Sequence, residues 1–298
     1  MTRSFHCLVN PLSGGGSAPG AVVPVTRLLR DAGAQVRVTY SPGPVGCADL
    51  ARRAAEAGDV VVAVGGDGML ASVAAAVSQA GGVLGIVPSG RGNDFARMLG
   101  VPARPDVLAD LLLTAAPRPV DAVEAAGRLV LGSVYAGVDS DASAVVDRSH
   151  RLPRSLQYPY AALRAVARYT PTCFTVTVDG ERHDERAATV VVANSAYYGA
   201  GMRIAPDAVV DDGLLDVVVV RAASRLRLVR ALPRLYDGSH VDLDEVLVLR
   251  GREVTLASDE RVTAYGDGER LVPLPLTATV RPAALTVLAP PAPVRGGA

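Results

Sequence analysis

The sequence has no lysine. All 30 of its basic residues are arginine, balanced by 30 acidic residues to a net charge of zero. That absence excludes a Walker A lysine, a protein-kinase strand lysine and a Schiff-base lysine. A cation that meets a phosphate here must be arginine, a helix terminus or a metal. Tryptophan is also absent, and aromatics make up 4 % of the chain. Cys7, Cys47 and Cys173 are isolated and odd in number, which argues against a disulfide framework or a cysteine-rich metal site and fits a cytosolic protein. No basic run stands out, so nothing points to nucleic acid. The amino terminus has no apolar signal-peptide region, and no apolar run reaches the ~20 residues that span a bilayer. A soluble, cytoplasmic protein is expected, with docking at the inner face of a membrane left open.

What is present is organised in two halves. Up to about residue 120, strand and helix signals alternate, which predicts a mainly parallel α/β sheet. Strands are expected at 5–9, 35–40, 60–64 and 83–87, with helices at about 21–32 and 48–57 and a further one from about Leu70. After Pro117-Arg118-Pro119 the pattern changes to short strands at 120–123, 128–135, 173–178, 188–193, 214–220, 246–249, 253–257, 262–265 and 277–280. Few helices intervene, the clearest at about 159–169 and 223–235. An antiparallel, sandwich-like second domain is expected over 123–281. The first domain covers 1–122, rejoined by a terminal strand at 282–290.

Three polar, glycine-rich segments follow strands of the first half. The sharpest is Gly65-Gly66-Asp67-Gly68-Met69, after the β-branched run Val60 to Val64. Glycines at a strand-to-helix turn let backbone N–H groups approach a phosphate, and the helix dipole favours the anion. A carboxylate among them makes sense if a divalent cation or a hydrogen-bonded nucleotide group sits between it and the phosphate. Asn10, Ser13 and Gly14 form a second such turn, and Ser89 to Asp94 a third. There Asn93 and Asp94 read either as ordinary helix caps or as partners of Asp67 in holding Mg²⁺ on a triphosphate, with Arg91 facing the phosphates. In the second half, Asp211-Asp212 on a turn can hold a hard cation or simply be solvated. Asp267-Gly268-Glu269 reads as a hairpin turn or as the source of a base for an attacking hydroxyl.

The order of these motifs resembles the diacylglycerol kinase-like lipid kinases, which include bacterial diacylglycerol kinases, sphingosine kinases and ceramide kinases. The resemblance runs from about residue 4 to 288 and takes in Ala193-Asn194-Ser195 and Tyr198 to Met202. It implies an α/β nucleotide domain, a β-sandwich-like domain and an active site in the cleft between them. It implies ATP- and Mg²⁺-dependent phosphorylation of a hydroxyl on a diacylglycerol-like or sphingoid-like lipid, reached at the membrane surface. By motif, Asn10, Pro11, Ser13, Gly14, Ser41, Gly65, Gly66, Asp67, Gly68, Met69, Arg91, Asn93 and Asp94 would contact the nucleotide. Asp212 would bind a structural metal beside the carbonyls of Val209 and Leu214. Glu269 would be the proton acceptor, with Asp267 close to the chemistry. The family usually has threonine where this chain has Met69 and Arg91. A weakened, lipid-binding homologue and an NAD kinase-like enzyme are the alternatives. The stretch Arg148 to Tyr169 is the candidate lipid contact, and a homodimer is left open.

Overall fold

The computed structural model describes residues 3–140, 164–165 and 167–292. The chain divides into two compact units, Met1–Val120 with Ala283–Ala298, and Asp121–Pro282.

The first unit is an α/β layer structure. Strands β1 (Ser4–Val9), β2 (Gln35–Tyr40), β3 (Val60–Gly65) and β4 (Val83–Pro88) alternate with helices α1 (Ala18–Asp31), α2 (Pro44–Glu56) and α3 (Asp67–Gln79). A one-turn helix α4 (Asp94–Met98) and α5 (Pro105–Thr114) follow. The strands lie in the order β4-β3-β1-β2, all parallel. The last strand of the chain, β15 (Leu276–Val287), adds Thr286 and Val287 in parallel against Val83 and Leu84. Phe5, Cys7 and Val9 form one core with Val60, Val62 and Val64 and with Val22, Val25 and Leu29 of α1 and Leu108 and Leu112 of α5. The alternating residues Leu8, Val61 and Ala63 are buried too, so both faces are covered, as unbroken β-branched runs predict. The chain steps from β1 to β2 on one side and then returns to place β3 on the other side of β1. That reversal is a topological switch point, where α/β sheets open a crevice at their carboxyl ends.

The second unit is antiparallel, with β5 (Arg118–Ala125) at its start. It comprises β6 (Arg128–Val130), β7 (Ser133–Gly137), β8 (Thr172–Val178), β9 (Glu181–Ala193), β10 (Leu215–Arg221), β11 (Val246–Gly251), β12 (Glu253–Ser258), β13 (Thr263–Gly266) and β14 (Glu269–Pro273). One run of pairing is β14-β13-β7-β9-β10-β11, and another is β8-β12-β15. The long β9 pairs with β8 through its first half and with β7 through its second. Val134, Val190, Val192 and Val217 pack with Phe174, Val176, Leu256 and Ala278 in one core. Two short helices, α6 (Arg225–Ala231) and α7 (Arg234–Asp237), lie between β10 and β11.

Several boundaries differ from the sequence expectation for identifiable reasons. Helices α1 and α2 start earlier, because Pro19 and Pro44 sit in their first turns, where the missing N–H costs nothing. The expected strand 128–135 is two strands. The carboxylate of Asp267 takes the N–H groups of Leu131, Gly132 and Ser133 and breaks the ladder there. The expected helix 223–235 is interrupted at Leu232-Pro233. Strands expected at 277–280 and 282–290 are one continuous β15, and β14 is the second strand of the hairpin expected at Asp267-Gly268-Glu269. The expected helix 159–169 and the Arg148 to Tyr169 stretch lie largely outside the described residues. No described helix is long and apolar enough to cross a membrane.

Candidate functional site

In the first unit the three glycine-rich turns meet at the carboxyl ends of β1, β3 and β4, beside the switch point. The Asn10 N–H donates to the Val64 carbonyl (3.0 Å), and the Ser89 N–H to the Gly65 carbonyl (2.9 Å). Asn10 also shapes its own turn, its Oδ1 accepting from the Leu12 N–H (3.0 Å). Pro11 lies in that turn. The Ser41 N–H donates to the Val9 carbonyl (2.8 Å), which sets the residue after β2 beside the same strand end.

The glycines are required by contact. Gly14 has φ 60°, and a β-carbon on it would lie 2.3 Å from the Ser89 carbonyl oxygen. A β-carbon on Gly90 would lie 2.4 Å from Gly66 Cα, so the second and third turns touch through bare backbone. Met69 packs over Gly65, where a β-carbon would meet Met69 Cβ at 3.0 Å and Ser13 Oγ at 3.2 Å. Gly68 is exposed at the start of α3.

The acids and amides of these turns hold one another. Asp67 Oδ1 accepts from the Asp94 N–H (2.7 Å), so Asp67 caps α4 from a different turn. Burial raises the Asp67 pKa, and the backbone N–H groups of Asp94, Phe95 and Asn93 oppose that shift. Asn93, at φ 50°, is no side-chain cap. Its Oδ1 accepts from the Gly90 N–H (2.8 Å) and its Nδ2 donates to the Gly90 carbonyl (3.0 Å), which closes the loop that carries Arg91. Asp67 and Asp94 converge on Gly92, where a β-carbon would lie 2.9 Å from Asp67 Oδ2 and 3.0 Å from Asp94 Oδ2. Two carboxylates thus face the same glycine, a set of hard oxygen donors of the kind that Mg²⁺ takes. Ser89, not singled out from sequence, is buried with its hydroxyl unpartnered. A lone serine in a turn carries no signal that would have marked it.

In the second unit, Asp267 (φ 49°) and Gly268 (φ 84°) form the two-residue turn between β13 and β14. The Asp267 carboxylate accepts from Leu131 (2.7 Å), Gly132 (2.9 Å) and Ser133 (3.2 Å). Asn194 secures the same segment, donating to the carbonyls of Leu131 (2.8 Å) and Asp121 (3.0 Å). The Asp267 carboxylate thus holds the 131–133 segment, and Glu269 is exposed at the start of β14, 3.5 Å from the Arg128 guanidinium. Asp139 is a further acid that sequence reasoning missed. Its Oδ2 accepts from Tyr198 Oη and from Thr189 Oγ1 (both 3.1 Å), and burial pushes its pKa up to about 6.

Asp212 was expected to bind a metal. Its Oδ1 accepts from the Leu214 N–H (3.0 Å), and its Oδ2 accepts from Arg250 (2.6 Å). Arg250 Nε also lies 3.1 Å from Asp216 Oδ1. Val209 and Leu214 flank this turn in sequence. A single guanidinium, that of Arg250, faces the carboxylates of both Asp212 and Asp216. A divalent ion at Asp212 would have to displace Arg250 or share the carboxylate with it.

A model of the diacylglycerol kinase catalytic domain family matches residues 4–125. A second, described as the YegS C-terminal NAD kinase beta sandwich-like domain, matches residues 132–289. A diacylglycerol kinase of Mycobacterium tuberculosis is 34 % identical over 301 residues, covering 95 % of this chain and 94 % of its own. A Pseudomonas putida protein named "Probable lipid kinase YegS-like" is 32 % identical over 270 residues, covering 86 % of each chain. Among solved structures, a diacylglycerol kinase from Bacillus anthracis str. Sterne matches with a TM-score of 0.72 at 18 % identity, covering 97 % of each chain. At that identity the likeness concerns the fold alone.

Proposed function

The chain belongs to the diacylglycerol kinase-like family of lipid kinases, and we propose that it transfers the terminal phosphoryl group of Mg²⁺-ATP to the hydroxyl of a diacylglycerol-like lipid. The observation that carries this reading is the meeting of three glycine-locked turns at the switch point, with Asp67 and Asp94 converging on Gly92. Backbone N–H groups of Ser13 to Gly14 and Gly65 to Met69 would take the phosphates. Asp67 and Asp94 would hold Mg²⁺ as it arrives with the nucleotide. Arg91 supplies a cation on the third turn, where the family usually has a hydroxyl. Asn10, Pro11, Ser41 and Asn93 shape the walls. Phosphoryl transfer depends mainly on positioning and charge neutralisation. As the acceptor oxygen bonds to phosphorus and the bond to ADP breaks, the hydroxyl proton passes to Glu269, on the turn that Asp267 fixes.

Residues 1–122 with 282–290 would carry the nucleotide and 123–281 the lipid. Met69 favours a second reading, a kinase of reduced turnover, because its side chain lies over Gly65 beside the Ser13 hydroxyl. Incubation with labelled Mg²⁺-ATP and a panel of diacylglycerols, sphingoid bases and ceramides decides between them. Label in a diacylglycerol, lost in Asp67→Ala at unchanged melting temperature, supports the first. No label in any lipid, with ATP still bound, supports the second.

A further inference from the structure

We propose that Tyr40 supplies the stacking surface for the purine base of the nucleotide, and with it the donor preference of the site. The assignment rests on the lipid kinase reading, since it names what holds the end of the nucleotide away from the phosphates. Aromatic surface is scarce in a chain with 9 tyrosines, 3 phenylalanines and no tryptophan, so an exposed ring beside the three turns is unusual. Tyr135, Tyr169 and Tyr265 are buried. Tyr40, the last residue of β2, is 54 % exposed.

Register and alternation fix where that ring stands. Tyr40 pairs in parallel with Val9, the last residue of β1, and the first glycine-rich turn leaves from there at Asn10. Side chains two apart along a strand share a sheet face. Val36 and Val38 pack with Val9, Val22 and Val25 in the core under α1, so Tyr40 projects from that same face. Thr39 turns to the opposite face, where its Oγ1 lies 2.8 Å from His6 Nε2. Tyr40 therefore stands at the carboxyl end of the sheet, on the side where the first turn runs into α1. Leu12, within that turn, is 78 % exposed and adds an aliphatic side chain at the same strand ends. Since β2 ends the strand order, no further strand covers the ring. The polar groups of this rim are engaged by backbone. Ser41 Oγ accepts from the Gly43 N–H (3.2 Å), and Asn10 Oδ1 accepts from the Leu12 N–H. What the rim presents to a base is thus a ring face and an aliphatic side chain. A flat heteroaromatic base suits that surface, and stacking favours the larger face of a purine over a pyrimidine.

The lack of tryptophan gives a direct test on the full chain. Tyr40→Trp introduces a single tryptophan, whose emission should be quenched by Mg²⁺-ATP and left unmoved by Mg²⁺-tripolyphosphate, which carries no base. In calorimetry, Tyr40→Ala should weaken ATP binding roughly tenfold. It should leave tripolyphosphate binding unchanged and narrow the preference for ATP over CTP. Tyr40→Phe, which keeps the ring, should retain most of the wild-type affinity for ATP. The variants should keep the wild-type melting temperature without nucleotide, because they alter an exposed side chain. Unchanged ATP affinity in Tyr40→Ala overturns the proposal, as does tryptophan emission that ATP does not move. An equal loss of ATP and tripolyphosphate binding also overturns it, and would assign Tyr40 to the shape of the phosphate-binding turn instead. The expected quenching and affinity losses without phosphorylation of any lipid would overturn the kinase reading and leave the base site standing.

Discussion

Arg91 stands between Gly90 and Gly92, the two glycines through which the third turn meets Gly66 and the carboxylates of Asp67 and Asp94. Asn93 fixes that turn from within. With no lysine in the chain, Arg91 is the cationic side chain proposed to meet the phosphates. A charge-assisted hydrogen bond contributes about 1.5–3 kcal/mol net. Arg91→Ala should therefore weaken ATP binding by roughly tenfold to a hundredfold in calorimetry. Arg91→Thr should lose less, because a hydroxyl can still donate to phosphate, and unchanged affinity in Arg91→Ala would place that side chain in solvent.

Asp216 makes a second residue-scale case. It is buried, its Oδ2 has no partner, and Arg250 reaches only its other oxygen. Burial pushes its pKa from 3.8 up to about 6; Arg250 pulls it down, and the Asp212 and Asp207 charges add to the rise. A raised folded pKa means the native state keeps a proton that the unfolded chain has released. The stabilisation from this group is full below the unfolded pKa and is lost as pH rises through the folded one. Relative to Asp216→Asn, the wild type should lose about 2 kcal/mol of unfolding free energy between about pH 4 and about pH 7 in urea titrations. Arg250→Ala should cost about 1–3 kcal/mol by stranding both carboxylates. Its melting temperature should then rise with added Mg²⁺, while that of the wild type, without nucleotide, should not. A wild type that Mg²⁺ stabilises as strongly would show that the guanidinium does not stand in for a metal.

At the scale of elements, the turns are fixed by the small size of their glycines. A β-carbon on Gly90 needs the Gly66 backbone to move, and no side-chain rotation relieves that contact. Gly90→Ala should shift the third turn against the second, and misplacement on that scale costs up to about a hundredfold in turnover. The loss should appear in the kinetics of ATP use at a nearly unchanged circular dichroism spectrum. The alternation of strand and helix in the first unit, the antiparallel second unit and the three loops were all legible, because each follows from local periodicity and glycine placement. Tertiary hydrogen bonds were not. Asp94 reads locally as a helix cap, but the cap of α4 is Asp67, from the loop after another strand. The run 128–135 reads as one strand until Asp267, far along the chain, takes three of its N–H groups. Asp139, and the Ser89 hydroxyl within the third turn, left no mark in sequence because only burial makes them unusual.

For the whole molecule, each unit has its own apolar core, one built around β1 and β3 and the other around β9. A ligand that binds one native unit stabilises it against every opening that releases the ligand. Mg²⁺-ATP at about a hundred times its dissociation constant stabilises such a unit by about 2.7 kcal/mol, which slows exchange through those openings about a hundredfold. Amide exchange should therefore slow at residues 10–17, 65–72 and 89–98, which form the three turns and the helix starts behind them. The β8–β9 ladder, residues 172–193, should exchange at its ligand-free rate, since its amides are tied to strands of the second unit. Protection confined to that ladder would move the nucleotide to the second unit and remove Asp67, Arg91 and Asp94 from its binding.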